Sequence, residues 1–143
     1  MKFLFIEDDQ RFFEWLKEAL PHHECVRASR MDELIELLGR KNDFDAVFVD
    51  QIVPGEDTVK LLSAAKGLAD GVPTIVLTGA ATRADLCRVA DGLVFKHEIM
   101  EAPESFLPRY VNHIQQKIRD EGPMEQTKKL FSALGGLRHG VPA

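Results

Sequence analysis

The sequence is poor in the residues that mark disulfide-bonded, nucleic-acid-binding or membrane-spanning proteins. It has two cysteines, one tryptophan and one tyrosine in 143 residues. Cys25 and Cys87 stand in apolar surroundings without CxxC or Cys/His spacing. We therefore expect both to be buried, reduced side chains rather than disulfide partners or metal ligands. The net charge is −5 and no lysine- or arginine-rich block occurs, which argues against direct nucleic-acid binding.

Long apolar runs are also missing. None approaches the roughly 18 residues that a membrane helix needs, and the N-terminus lacks the layout of a signal peptide. We therefore predict a cytoplasmic protein without membrane insertion. The content of 45% hydrophobic and 29% charged residues is typical of a globular protein, and 143 residues fit one domain with a proper core.

Short apolar runs alternate with helical patterns along the chain. The runs predict five strands, at residues 3–6, 25–28, 46–49, 74–77 and 93–95. The helical patterns predict helices at residues 10–20, 31–38, 58–66 and 83–90, and a final helix that carries apolar residues at 107, 111, 114 and 118. Strands that are continuously apolar are buried on both faces. The order predicts an α/β fold with a five-stranded parallel sheet and helices on both faces.

Polar residues follow four of the five predicted strands. The acidic run 7–9 follows the first strand, Asp50 ends the third, Thr78 the fourth and Lys96 the fifth. Taken singly, each acid is an ordinary turn or cap residue, Thr78 a helix cap and Lys96 a solvated side chain. Together they meet at one edge of the sheet and supply a magnesium-binding acidic group, a nucleophilic aspartate, and a hydroxyl and an ammonium for phosphoryl oxygens.

Four segments carry a resemblance to a known family: FLFIEDD, AVFVDQIVPGED, PTIVLTG and GLVFK, in that order. Over residues 1–120 the chain resembles the receiver domain of two-component response regulators, in particular the single-domain, chemotaxis-regulator-like members. The resemblance implies a flavodoxin-like, doubly wound (βα)5 fold with strand order 2-1-3-4-5. It also implies a cytoplasmic phosphoprotein of a phosphorelay that is not an enzyme beyond its own phosphorylation and dephosphorylation.

The resemblance also implies roles for individual residues. Asp50 would accept the phosphoryl group as an aspartyl phosphate, Thr78 would bond a phosphoryl oxygen, and Lys96 would pair with the phosphoryl group or with Asp50. Mg²⁺ would be held by Glu7, Asp8, Asp50 and the backbone carbonyl of Ile52. Asp9 is interpreted as a helix cap. The donor would be a histidine kinase or phosphotransfer protein, and the output a changed interaction with a protein that the sequence does not identify.

The chain departs from the family pattern at several positions. Leu93 stands three residues before the lysine, where the family usually has an aromatic residue. Thr78 and Lys96 are 18 residues apart, which predicts a short fourth helix. His97 replaces the usual proline, so we predict a trans Lys96–His97 bond. Thr58 stands where glycine is common, and we predict that it opens the third helix directly.

These departures leave two other functions open. One is a receiver-like interaction module that signals by binding without phosphorylation. The other is an enzyme on the same fold, such as a phosphohydrolase with an aspartyl-phosphate intermediate. The acidic site favours the phospho-accepting receiver over both.

Residues 121–143 form a predicted C-terminal extension. A short helix from Pro123 to Leu134 would pack on its own domain, fray, or make a homodimer or partner contact, and Gly135 to Ala143 would be mobile. The extension leaves no room for a DNA-binding output domain. The chain is therefore predicted to be a single-domain regulator or a fragment of a longer protein.

Overall fold

In a computed structural model of the chain, residues 1–40, 43–79 and 83–135 are described, with side chains as far as residue 121. Five parallel strands form one sheet in the order β2-β1-β3-β4-β5, which confirms the predicted fold class and strand order. The strands are β1 Lys2–Ile6, β2 Glu24–Ala28, β3 Ala46–Asp50, β4 Thr74–Thr78 and β5 Gly92–Phe95.

Six helices are described. They are α1 Gln10–Ala19, α2 Met31–Arg40, α3 Thr58–Leu68, α4 Ala84–Val89, α5 Lys96–Glu101 and α6 Pro103–Gly135. The fourth helix has six residues, which confirms that it is short. The sequence patterns did not predict α5. No helix in the described part of the chain is both long enough and apolar enough to cross a membrane.

The sheet separates two apolar cores because side chains alternate along each strand. In β3, Val47 and Val49 pack with the inner faces of α2, α3 and α4. Ala46 and Phe48 point to the other side, where they pack with α1, α5 and α6. The ring of Phe48 stacks on that of Phe5, with centroids 4.9 Å apart. The central strands are thus fixed on both faces, and their ends are held in place.

Two aspartates begin helices at the edge of the sheet where the strands end. The Asp9 side chain accepts hydrogen bonds from the backbone N–H groups of Arg11 and Phe12, at 3.0 and 3.1 Å. Asp57 caps α3 in the same manner, and Thr58 is the first residue of that helix. Such caps satisfy N–H groups that have no partner within the helix. Asp9 as a cap and Thr58 as a helix start are both confirmed.

The C-terminal extension differs from its prediction. Helix α6 begins at Pro103, and its backbone is helical without a break to Gly135. The separate helix starting at Pro123 was therefore wrong. Proline disfavours a helical conformation in the residue before it without forbidding it, so the pattern indicated a boundary that the backbone does not have. The segment 136–143, predicted to be mobile, lies outside the described residues.

The cysteines are only partly as expected. Both are free thiols, but Cys25 is half-buried and Cys87 is exposed, so the expectation of burial was wrong for Cys87. Leu86 and Val89 take the inward positions of the short helix α4 and leave Cys87 on its outer side. Burial raises the pKa of the Cys25 thiol to about 11.

Strand β5 lies at one edge of the sheet, and a tyrosine from α6 covers part of its backbone. The Tyr110 hydroxyl accepts a hydrogen bond from the Leu93 N–H at 2.9 Å and donates one to the Leu93 carbonyl at 3.1 Å. A Cβ at Gly92 would overlap this hydroxyl, so the close approach requires glycine there. The contact satisfies two backbone groups that an edge strand would otherwise expose.

Candidate functional site

The ends of β1 and β3 bring two acidic residues side by side. Ile6 of β1 pairs with Val49 of β3. The next residues along the two strands, Glu7 and Asp50, therefore lie next to each other at the carboxyl edge of the sheet. Both are buried: Glu7 is fully inaccessible and Asp50 is 9% exposed. Adjacent carboxylates out of water repel each other strongly unless a cation or a proton is present.

The ends of β4 and β5 place the other two predicted residues at the same edge. Asp50 pairs with Leu77, so Thr78 lies one residue further along β4. Thr78 in turn pairs with Phe95, the residue before Lys96. Thr78 is buried, with 1% exposure. The parallel register thus gathers a carboxylate pair, a hydroxyl and an ammonium, although these residues are up to 89 positions apart in sequence (96 − 7 = 89).

Lys96 provides the positive charge that the carboxylates face. Its Nζ lies 3.0 Å from Asp50 Oδ2 and 3.1 Å from Glu7 Oε2. Burial opposes the charge on Lys96, but the hydrogen bond with Asp50 and the attraction of Glu7 outweigh it and raise the pKa of Lys96. Lys96 therefore stays protonated and holds the two acids together.

Glu7 is the electrostatically strained member of the group. Its Oε1 accepts a hydrogen bond from the Asp9 N–H at 3.1 Å. Among the described residues no hydrogen-bond donor is assigned to its buried Oε2, although the Lys96 ammonium lies within ion-pair distance. Burial, and next the neighbouring Asp50, raise the pKa of Glu7 to about 7, and Lys96 only partly offsets them. The site therefore has more negative charge than one ammonium neutralises.

Asp50 is held through both carboxylate oxygens. Oδ1 accepts a hydrogen bond from the backbone N–H of Ile52 at 3.3 Å, and Oδ2 accepts one from Lys96. The loop after β3 is thereby folded back on the carboxylate. The Ile52 side chain points outward and is 68% exposed. Asp8, the remaining residue predicted in the metal site, is exposed at the rim beside Glu7.

The donor set fits Mg²⁺ in its chemistry. Mg²⁺ prefers oxygen ligands and commonly binds through one or two carboxylates, with water and phosphate oxygens completing its shell. Glu7, Asp8 and Asp50 offer such oxygens, and Glu7 Oε2 is a buried oxygen without a hydrogen bond. Among the residues that the structure describes, no group of three or more His, Cys, Asp or Glu side chains is arranged as a ready cage for a metal. A cation held by these residues would therefore keep part of its water shell.

The family-specific departures take definite forms in the structure. The Lys96–His97 bond is trans, as predicted, and α5 begins at Lys96 itself. The Glu98 side chain accepts a hydrogen bond from the Phe95 N–H at 3.0 Å and stabilises this abrupt start. Leu93 packs against the core under α2, α3 and α4.

Two residues near the site were not predicted from the sequence. The Phe12 ring lies beside Lys96, with Nζ 4.7 Å from the ring centroid. Gln51 Oε1 accepts a hydrogen bond from the Arg83 N–H at 3.2 Å, which links the loop after β3 to the start of α4. Phe12 lies within the helix predicted for residues 10–20. Nothing in the sequence pattern indicated the contact of Phe12 with Lys96 or that of Gln51 with Arg83, because both depend on the tertiary fold.

Solved structures with a similar fold were found, although no protein-family model and no curated protein sequence matches the chain. A CheY-like response regulator receiver domain protein from Methanospirillum hungatei is 19% identical, with a TM-score of 0.63 over 82% of this chain and 98% of that chain. The receiver domain of a Francisella response regulator is 18% identical, with a TM-score of 0.60 over 81% and 97%.

A third similar structure covers nearly the whole chain. It is described as an adenylate cyclase from Rhodopirellula baltica, and is 16% identical with a TM-score of 0.61 over 98% of both chains. Similarity at such identities establishes fold and not activity. Together with the strand order and the two covered faces of the sheet, the receiver structures show that this chain has the fold of response regulator receiver domains.

Proposed function

We propose that the protein is a phospho-accepting receiver in which Asp50 takes a phosphoryl group from a histidine kinase or phosphotransfer protein. The observation that carries the proposal is the position of Lys96, whose ammonium lies 3.0 Å from Asp50 Oδ2 and 3.1 Å from Glu7 Oε2. This arrangement differs from a surface ion pair, because one lysine contacts two adjacent, buried carboxylates at the carboxyl edge of a parallel sheet. It suits a site that handles a highly charged ligand.

The proposed reaction is a nucleophilic substitution at phosphorus. A carboxylate oxygen of Asp50 attacks the phosphorus of a phosphohistidine, the P–N bond breaks, and its electron pair returns to the imidazole, which can take a proton from water. The product is an acyl phosphate on Asp50. Lys96 and the Thr78 hydroxyl would stabilise the phosphoryl oxygens as charge develops on them.

Magnesium would be held by Glu7, Asp8, Asp50 and the Ile52 backbone carbonyl. When bound, it would supply positive charge that neutralises the incoming phosphoryl oxygens. The raised pKa of Glu7 and its Oε2 without a hydrogen bond support such a site, because both reflect negative charge that Lys96 leaves uncompensated. Lys96 would then shift its contacts from Glu7 toward the phosphoryl group.

The output would be a changed protein-binding face. Phosphorylation adds about −1.5 to −2 charge, which draws an ammonium and a hydroxyl inward. The contact of Gln51 with the Arg83 N–H offers a physical link from the loop beside Asp50 to α4. We propose that the protein acts in the cytoplasm and catalyses only its own phosphorylation and dephosphorylation. Its partner is a protein that the structure does not specify, and a homodimer through the C-terminal extension remains a prediction.

The direct test is phosphorylation by a small acyl phosphate. The wild type, Asp50→Asn and Asp43→Asn are incubated with the donor, each with Mg²⁺ and with EDTA, and weighed intact. Asp43 lies at the amino ends of the strands, where its carboxylate forms an ion pair with Lys2. Its variant therefore controls for the loss of one aspartate. We expect one phosphoryl mass in the wild type and in Asp43→Asn, only with Mg²⁺. No gain in the wild type, or equal gain in Asp50→Asn, would show that the proposal is wrong.

A binding module that signals without phosphorylation is the second candidate. It is favoured by one observation: Lys96 already bridges Glu7 and Asp50, so the charged site is partly neutralised without a metal or a phosphoryl group. The same incubation separates the two candidates. A binding module would gain no phosphoryl mass under any condition, and its partner would bind wild type and Asp50→Asn with equal affinity.

A further inference from the structure

An aromatic ring covers the lysine of the site. Phe12 is the third residue of α1, and its ring centroid lies 4.7 Å from Lys96 Nζ. Two contacts hold Phe12, one at its backbone and one at its ring. The Phe12 backbone N–H donates a hydrogen bond to the capping carboxylate of Asp9 at 3.1 Å, and the ring stacks on that of Trp15, with centroids 6.1 Å apart. The start of α1 therefore presents a fixed aromatic face to the ammonium.

The ring has two effects on Lys96 that an aliphatic side chain would not combine. Its π face attracts a cation directly. Its apolar body also keeps water away from one side of the ammonium, which strengthens the attraction of that charge to Asp50 and Glu7. The Lys96 side chain is long and 22% exposed, so without the ring its head group could turn toward solvent.

We propose that Phe12 is a positioning residue for phosphoryl transfer: its ring holds the Lys96 ammonium over Asp50 and Glu7, ready to meet the incoming phosphoryl oxygens. The proposal rests on the function proposed above for Asp50. It assigns to the first turn of α1 a part in the chemistry, in addition to its packing on the sheet. Phe12 acts through Lys96 and touches no reacting atom itself.

Variants of Phe12 test this role. Phe12→Leu keeps an apolar side chain but removes the ring, whereas Phe12→Tyr keeps the ring. We expect Phe12→Leu to be phosphorylated by the small acyl phosphate about fivefold more slowly than the wild type, and Phe12→Tyr to keep most of the rate. Phe106→Leu is the matched control, because Phe106 is also half-buried and also stacks on an aromatic residue, Tyr110, at 5.7 Å. It should keep the wild-type rate.

A double-mutant cycle shows whether Phe12 acts through Lys96. In a Lys96→Met background, which is already slow, Phe12→Leu should cause no further loss. An equal fivefold loss in both backgrounds would mean that Phe12 supports the fold or the donor, and would overturn the positioning role. Thermal unfolding of each variant separates a loss of rate from a loss of structure.

A measurement that needs no phosphorylation completes the test. The ε-methylene protons of Lys96 should show an upfield ring-current shift by NMR in the wild type and in Phe12→Tyr, and should lose it in Phe12→Leu. A wild type that is phosphorylated but shows no such shift, with Phe12→Leu as fast as Phe106→Leu, would overturn this proposal alone. A shifted Lys96 in a protein that never gains a phosphoryl group would instead overturn the proposed function, and the positioning role with it.

Discussion

Replacing Glu7 by glutamine should stabilise the protein increasingly as the pH rises. The pKa of Glu7 is raised from 4.5 to about 7, chiefly by burial and next by Asp50. Because the folded state binds this proton more tightly than the unfolded state, the wild type is favoured at low pH and loses stability as the pH rises from about 4.5 to about 7. Glutamine resembles the protonated acid at every pH, so the variant escapes this loss.

The size of the effect follows from the pKa. Each unit corresponds to about 1.4 kcal/mol, so the advantage of Glu7→Gln over the wild type should grow by about 2–3 kcal/mol between pH 5 and pH 8. Any hydrogen bond that glutamine makes less well, such as that from the Asp9 N–H, contributes equally at both pH values and cancels in the comparison.

Urea unfolding in EDTA, followed by circular dichroism at pH 5 and pH 8, measures this difference directly. Glu14→Gln, an exposed carboxyl on α1, controls for the removal of one negative charge and should show a much smaller pH-dependent advantage. A Glu7→Gln advantage that changes by less than about 0.5 kcal/mol between the two pH values would refute the electrostatic account of the site.

Two further predictions concern contacts away from the acidic site. Tyr110→Phe removes both hydrogen bonds to the Leu93 backbone. It should lower the free energy of unfolding by about 1–3 kcal/mol and speed hydrogen exchange at the Leu93 amide. Unchanged exchange at that amide would contradict the contact. Lys66→Met removes the ammonium that lies 2.7 Å from the fully buried Asp91 carboxylate, which also accepts a hydrogen bond from the Thr74 N–H. We expect the free energy of unfolding, measured in urea, to fall by about 3–5 kcal/mol and to recover partly in Lys66→Met/Asp91→Asn. A fall of less than about 1 kcal/mol would contradict this prediction.

The sequence predicted best those parts of the fold in which a single local sequence pattern determines the secondary structure. Residues 3–6 and 46–49 are continuously apolar, and such short runs are typical of strands buried on both faces. The acidic residues that follow these runs, Glu7 and Asp50, were therefore predicted to lie at the carboxyl edge of the sheet. The cap Asp9 was predicted from a similarly local signal, since an acid before an apolar periodic segment satisfies the first N–H groups of a helix.

Other features depended on tertiary contacts that no local pattern contains. The exposure of Cys87 follows from which side of a six-residue helix meets the core. The start of helix α5 at Lys96 is stabilised by the Glu98 side chain, which accepts a hydrogen bond from the Phe95 N–H, in a segment where the sequence patterns predicted no helix. The Phe12 ring meets Lys96 only after α1 and the end of β5 have been brought together by the sheet.

The placement of the site residues was predicted more completely than their electrostatics. The residue types at the strand ends indicated a phosphoryl-transfer site, and the register of the sheet brings Glu7, Asp50, Thr78 and Lys96 to one edge. The raised pKa of Glu7 required its burial and the approach of Asp50, which sequence spacing does not give. Asp8 is exposed beside Glu7, and the roles of Asp8 and of the Ile52 backbone carbonyl as metal ligands remain predictions.

The central claim is that Asp50 itself forms the acyl phosphate. It is tested most directly by treating the protein with a small acyl phosphate and Mg²⁺, reducing the acyl phosphate with borohydride, and mapping the peptides by mass spectrometry. We predict that Asp50, and no other acid, is converted to homoserine. Conversion of Glu7 or Asp8 instead, or an unmodified Asp50 in a protein shown to be folded, would contradict the account.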